Sequence, residues 1–223
     1  MLKLMDLDGD KIILSDDVGA LYDFSNKGYP VVLLLTEDNR NEDTSFIRFA
    51  TEDDEPCEEY LRVVLARHKK QPLTILETER LIIREFTPGD LEALVRIYED
   101  SEGFLDPFYL NKDEASVYLE DYISSVYDLL GYGLWAVTLR TDHKLIGICG
   151  FSPRDEGAEL GYGILKEYRN MGYATEAARA VIGYGQKTLG IGNISVTCDP
   201  SNDAGLKLAK KLSKTESITV NNK

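Results

Sequence analysis

The sequence predicts an α/β protein in two parts, a small α/β domain over residues 1–72 and a larger α/β domain over 74–223. Three observations carry this. The run Tyr29-Pro30-Val31-Val32-Leu33-Leu34-Leu35 is apolar, of strand length and bounded by turn residues, as expected of a parallel strand covered on both faces. Gln71-Pro72 closes a helical pattern, because the residue before a proline is disfavoured in helix. From Ile75 onward, strand-length and helix-length patterns follow one another, which is how an α/β domain is written. A chain of 223 residues also exceeds the roughly 100–150 residues of one common domain, in keeping with two.

In the first part, residues 11–14 read as a short strand and 17–26 as a helix stopped at Lys27-Gly28. The buried run 29–35 follows. Residues 36–44 and 52–59 are rich in acids and asparagine, and 60–70 form a helix whose basic end suits the negative pole of its dipole. In the second part, residues 81–86 are a strand with an apolar stretch. Thr87-Pro88-Gly89-Asp90 then offers Thr87 as N-cap and Pro88 at the first helical position, leading into Leu91, Leu94, Val95 and Tyr98 at helical spacing. A second helix spans 112–130. Residues 134–139 and 145–151, separated by the polar stretch 140–144, predict a β-hairpin. A strand over 158–165 runs into a glycine-containing loop and a helix over 173–189; a strand over 193–198 and a helix over 202–212 complete the series. There is no internal repeat and no low-complexity segment.

Composition narrows the function. With 43% apolar and 29% charged residues the chain can bury a core. A net charge of −14 repels nucleic acid phosphates, so no nucleic acid partner is expected; it would draw cationic amines or basic polypeptides if concentrated at a site, and otherwise serves solubility. The N-terminus turns acidic before an apolar run of about 7 residues develops, and no stretch of about 18 apolar residues follows. The expectation is a cytoplasmic protein without a membrane partner. Cys57, Cys149 and Cys198 are odd in number with no C-x-x-C spacing, and His68 and His143 lack nearby metal partners, so neither structural disulfides nor a metal site is expected. Asp6-Leu7-Asp8-Gly9-Asp10 is close to the D-x-D-G-T of haloacid dehalogenase-type phosphatases, but Asp10 replaces the threonine and a polar turn is the better reading. The glycine is also misplaced for a calcium loop.

The chemistry concentrates where the strand Glu159-Leu160-Gly161-Tyr162-Gly163-Ile164-Leu165 passes through Lys166-Glu167-Tyr168 into Arg169-Asn170-Met171-Gly172-Tyr173-Ala174-Thr175. Main-chain N–H groups in a first helical turn have no intrahelical acceptors, and the helix dipole adds roughly +0.5 charge there, so the arrangement suits a diphosphate. Gly172 lets the backbone come close, Thr175 can add a hydroxyl donor and Arg169 can supply charge. An ordinary α/β strand-loop-helix is the plain alternative.

This segment resembles the R/Q-x-x-G-x-G/A motif of the GNAT acetyltransferase superfamily, and closely its branch that acetylates ribosomal-protein N-termini and related amines. The resemblance covers about 76–212, with Glu77-Thr78-Glu79-Arg80-Leu81-Ile82-Ile83-Arg84 as the opening strand, Leu145-Ile146-Gly147 as the third strand and Cys198-Asp199-Pro200-Ser201-Asn202 before the last helix. It implies a mixed, mostly antiparallel central sheet flanked by helices. It also implies acetyl-CoA as cosubstrate, lying between two splayed strands, and direct attack on its thioester by a primary amine, either a small molecule or a protein N-terminus. Cofactor contacts carry over to Gly163, Ile164, Leu165, Arg169, Asn170, Met171, Gly172, Tyr173, Ala174, Thr175 and Asn202, the last of which could instead simply cap its helix. Glu159 is the candidate general base, with a solvated edge carboxylate as its alternative. Where many relatives carry a tyrosine on the last helix this chain has Ala209, so Tyr162 and Tyr173 are the substitutes considered for the proton donor. The family's two closing antiparallel strands are expected to be shortened, with 218–220 forming at most one strand. A truncated or altered product, a homodimer in which a partner lends a strand, and a CoA-binding or interaction module without turnover all remain open on this reading.

Overall fold

Asp8 and Gly9 both adopt positive φ, 56° and 89°, the backbone of a two-residue hairpin turn that twists with its strands. The acidic stretch 6–10 is therefore the tip of an antiparallel pair, β1 (Leu2–Leu7) and β2 (Asp10–Ser15). Strand β1 escaped sequence reading because its residues alternate exposed and half-buried at a sheet edge, leaving no apolar run. Asp17 caps α1 (Val18–Asn26) by accepting from the Ala20 amide at 2.9 Å. The chain then returns as β3 (Val31–Leu34), parallel to β2, and β4 (Ala50–Thr51) adds alongside. The expected β-α-β unit is present; β2 runs one residue beyond the expected strand at each end, and β3 is shorter than the expected run by two residues at its start and one at its end. Helix α2 (Glu58–His68) covers the other face. Side-chain alternation explains why β3 is buried throughout: Val32 and Leu34 join Ile12, Leu14, Leu61 and Val64, whereas Val31 and Leu33 join Ile13, Val18 and Leu21.

The structure is a computed structural model that describes residues 1–40, 42–101, 105, 114–214 and 216–222, and it divides into a unit of Met1–Leu73 and a unit of Thr74–Lys223. The second unit opens differently from expectation. The stretch 77–84 is not one strand: β5 (Thr74–Glu77) and β6 (Leu81–Arg84) form an antiparallel pair around a turn at 78–80. Thr78 makes the turn by donating its amide to Leu81 O (2.9 Å) and accepting from the Leu81 amide through its hydroxyl (3.0 Å). Thr87 and Asp90 then form a capping box over a 3₁₀ turn, Pro88–Asp90, that leads into α3 (Leu91–Asp100). Helix α4 (Ala115–Asp121) continues through a π-helical segment, Tyr122–Val126, into α5 (Tyr127–Leu130). The expected helix over 112–130 is thus seen from 115; 112 and 113 lie outside the described residues.

Strands β7 (Leu134–Leu139) and β8 (Leu145–Arg154) are the predicted hairpin, and β9 (Gly157–Ile164) pairs antiparallel with β8 along its whole length. A 3₁₀ turn, Lys166–Tyr168, precedes α6 (Tyr173–Lys187); β10 (Ile194–Cys198), α7 (Asp203–Leu212) and β11 (Thr219–Asn222) follow. The sheet runs β11-β10-β9-β8-β7-β6-β5, parallel over its first three strands and antiparallel over the rest. The one closing strand, β11, is parallel to β10, unlike the antiparallel closing strands the resemblance implies. Trp135, fully buried, sits edge-on to Phe151 and Tyr184 at the centre of this core. Among the described residues, no helix is long and apolar enough to cross a membrane.

Candidate active site

Strands β9 and β10 are in register at Ala158↔Ile194 and Glu159↔Ser195, and there they part. Beyond this neck β9 stays with β8 as far as Ile164, while β10 stays with β11 as far as Cys198. A wedge opens between them. The Ala158 amide donates toward β10, to Asn193 O at 2.9 Å. Main-chain groups alternate sides along a strand, so Leu160, Tyr162 and Ile164 present theirs to the wedge. Gly163 and Leu165 do not: Gly163 lies opposite Ile148 on β8, and the Leu165 amide donates to Ile146 O at 3.0 Å. The Ile164 carbonyl is taken by Arg169 Nε at 2.9 Å. Of the three strand positions expected to meet a cofactor, Ile164 retains a main-chain amide facing the wedge.

Side-chain parity separates the two candidate catalytic residues. Glu159, Gly161 and Gly163 share the α3 face, where a Cβ on Gly163 would meet Ile97 at 3.2 Å. Leu160 and Tyr162 share the face covered by α6 and α7. The Tyr162 hydroxyl donates to Gly205 O on α7 at 3.2 Å and lies 4.0 Å from Cys198 Sγ on β10, so its ring bridges the wedge. Burial, then the neighbouring Cys198, raises the Tyr162 hydroxyl well above the ordinary tyrosine value. Burial likewise raises Cys149, opposite Tyr162 on β8, and Cys198, so both stay thiols. Glu159 sits at the neck with its carboxylate paired to Arg154, whose Nε donates at 2.6 Å. Ala209 is fully buried one turn beyond Gly205.

The loop beyond β9 is shaped by two left-handed residues, Asn170 at φ 63° and Gly172 at φ 84°. Asparagine tolerates this region and glycine has no penalty there. A Cβ on Gly172 would come no closer than 3.4 Å to Arg80 Nη2, so inside the protein the demand for glycine is one of φ rather than of space. Gly172 is the N-cap of α6, and the first helical bond runs from the Glu176 amide to Gly172 O at 3.0 Å. The amides of Tyr173, Ala174 and Thr175 therefore precede the helical ladder, as an anion site at a helix N-terminus requires. Met171 is 53% exposed beside them. An open concavity of about 590 Å³ adjoins this end of α6, lined by Thr78, Gly172, Thr175, Glu176, Arg179 and Lys211.

The loop is held from both sides. On the α3 side, Asp100 accepts from the Lys166 amide (2.9 Å) and, through its carbonyl, from Arg169 Nη2 (2.7 Å). Arg169, expected to supply charge to a ligand, thus directs two of its nitrogens to main-chain carbonyls. On the opposite side Glu176 accepts from Thr78 Oγ1 (2.6 Å), the Arg80 amide (3.0 Å) and Arg80 Nε (2.7 Å). Burial pushes the Glu176 carboxyl up, but these donors outweigh it and hold it below the usual glutamate value. The resemblance implies an opening strand through Thr78 and Arg80; nothing local marks a partner 96 residues away. Asn202 caps α7, accepting from the Gly205 amide at 2.8 Å, which satisfies its capping alternative directly.

In comparison with known proteins, residues 80–213 match the acetyltransferase (GNAT) domain. The chain belongs to the GNAT acetyltransferase family. Among the relatives of this GNAT chain is an uncharacterized N-acetyltransferase of Bacillus subtilis (strain 168), YoaA, 29% identical over 145 residues that cover 62% of this chain and 81% of the relative. Another is the [ribosomal protein uS5]-alanine N-acetyltransferase of Escherichia coli (strain K12), 27% identical over 151 residues, 63% of this chain and 78% of that protein. A GNAT-family acetyltransferase from Bacillus anthracis superposes with a TM-score of 0.53 at 26% identity, covering 61% of this chain and 81% of its own. These alignments leave much of the first unit outside the shared GNAT region, whose mixed sheet flanked by helices is the fold the resemblance implied.

Proposed function

We propose that the second unit transfers an acetyl group from acetyl-CoA to a primary amine, in a ternary complex, without a covalent enzyme intermediate. The observation that carries this reading is the continuity of the β9–β10 wedge with the Gly172 turn and the open amides of α6. A pantetheine arm lying in the wedge would meet the amides of Tyr162 and Ile164 as an added strand would, and its diphosphate would reach the Tyr173, Ala174 and Thr175 amides. The amine attacks the thioester carbon, the C–S bond breaks, and the amine gives up a proton. Glu159, on the α3 face at the neck, receives that proton through water. Tyr162, on the opposite face, would turn its hydroxyl from Gly205 O and donate its hydrogen bond to the departing sulfur. Its raised pKa keeps the hydroxyl neutral, so it stabilises the thiolate without surrendering its own proton. A thiolate of pKa about 8.5 needs little more help, and holding two reactants together supplies much of the acceleration.

A protein N-terminus is the acceptor we favour, because a relative is named for the alanine of ribosomal protein uS5. The test is release of free thiol from acetyl-CoA in the presence of alanine-starting peptides and, separately, polyamines. Peptide-dependent thiol release supports the reading. Buried Ala209, where many relatives have a tyrosine, favours a second reading, a CoA-binding module without turnover. Tight CoA binding with no thiol release from any amine would establish the second reading instead.

A further inference from the structure

Arg80 lies 91 residues before Met171, outside the loop signature, yet three parts of its side chain grip the loop. Nη1 donates to the Met171 carbonyl at 3.0 Å. Nε and Nη2 donate to Glu176 Oε2 at 2.7 and 2.6 Å. The guanidinium carbon stands 4.4 Å from the centre of the Tyr173 ring. These three partners straddle Gly172. In a trans peptide the C=O and the following N–H point in opposite directions. Anchoring Met171 O on Arg80 therefore aims the Gly172 amide away from Arg80. Without that anchor the peptide is free to rotate, since it joins an exposed methionine to a glycine with little conformational preference. Glu176 neutralises the guanidinium and, through Thr78 and the Arg80 amide, ties it to the β5–β6 turn.

We propose that Arg80 is a positioning residue that sets the peptide plane before Gly172, so that the β5–β6 turn fixes the Gly172 amide as a further donor to the diphosphate beside those of Tyr173, Ala174 and Thr175. This rests on the acetyl-CoA reading above. Arg80→Met keeps the aliphatic stem and removes the fork. In the full chain it should weaken CoA about tenfold, the scale of one charge-assisted hydrogen bond, and leave pantetheine affinity unchanged. The KM for acetyl-CoA should rise by the same factor with kcat within about twofold, since uniform binding is what is lost. Arg80→Lys should not rescue, because an ammonium cannot bond Met171 O and Glu176 while stacking on Tyr173. It also provides the test if the methionine variant fails to fold. Inorganic pyrophosphate should shift the Gly172 amide resonance in the wild-type chain and not in either variant. Wild-type binding of CoA with unchanged affinity in both variants, or equal losses for CoA and pantetheine, overturns the proposal alone. A folded wild-type chain that binds no CoA overturns the acetyl-CoA reading and takes this proposal with it.

Discussion

At the scale of single residues, the wedge assigns its two candidates to different tasks. Glu159 and Tyr162 are three residues apart on β9, an odd spacing that places them on opposite faces of the strand. Glu159→Gln should lower kcat by about 10²-fold near pH 7, at the lower end of general-base effects, with the deficit shrinking as pH approaches an amine pKa of about 10 and the acceptor deprotonates unaided. Tyr162→Phe should cost about tenfold at every pH in that range, as expected of a lost hydrogen bond to an anion. Steady-state pH profiles of the two variants check both, and parallel profiles would refute the division of labour. The strand-loop-helix around Gly172 was legible in the sequence because it is a local pattern, whereas Glu159 and Tyr162 came from the family resemblance and their roles are proposals. The reach of Arg169 to the Asp100 carbonyl and the grip of Arg80 on Glu176 were not legible, because both join residues remote in sequence that only the folded chain brings close.

At the scale of elements, the start of α3 illustrates what a motif can and cannot foretell. Thr87 as cap and Pro88 at the first helical position were readable from the four-residue turn alone. The depth of the commitment was not: Asp90 closes the capping box and also receives Arg84 Nη1 at 2.7 Å and Nη2 at 2.8 Å, with its side chain 8% exposed. Burial raises the Asp90 carboxyl, but Arg84 and the Thr87 amide outweigh it and hold the pKa below the ordinary value. The stabilisation is therefore complete above the unfolded value of about 3.9 and is lost as pH falls through the lower folded value. Asp90→Asn should cost roughly 3 kcal/mol at neutral pH, since it leaves Arg84 without its counter-ion in a partly buried site. Urea denaturation should show the gap to wild type closing below about pH 4. Strands β1, β4 and β5 were missed because short edge strands carry neither an apolar run nor a buried alternation. The interior strands β3, β7 and β8, whose residues are mostly buried, were found.

At the scale of the whole molecule, each unit has a core of its own: the second packs around Trp135, Phe151 and Val181, and the first splits its apolar residues between two sides of one sheet. Because the proposed cofactor site draws only on the second unit, acetyl-CoA at about 100 times its dissociation constant should add about 2.7 kcal/mol to that unit alone. Calorimetry of the full chain should therefore show one transition moving upward with ligand and another unmoved, and a common shift of both would mean that the units unfold as one. The distinction need not rely on heat alone. Trp135 is the chain's single tryptophan and is fully buried in the second unit. Selectively excited, it is an optical label that the protein carries unmodified: its emission, blue-shifted while the indole is dry, moves to the red when the acetyltransferase core opens and stays silent when only the first unit unravels.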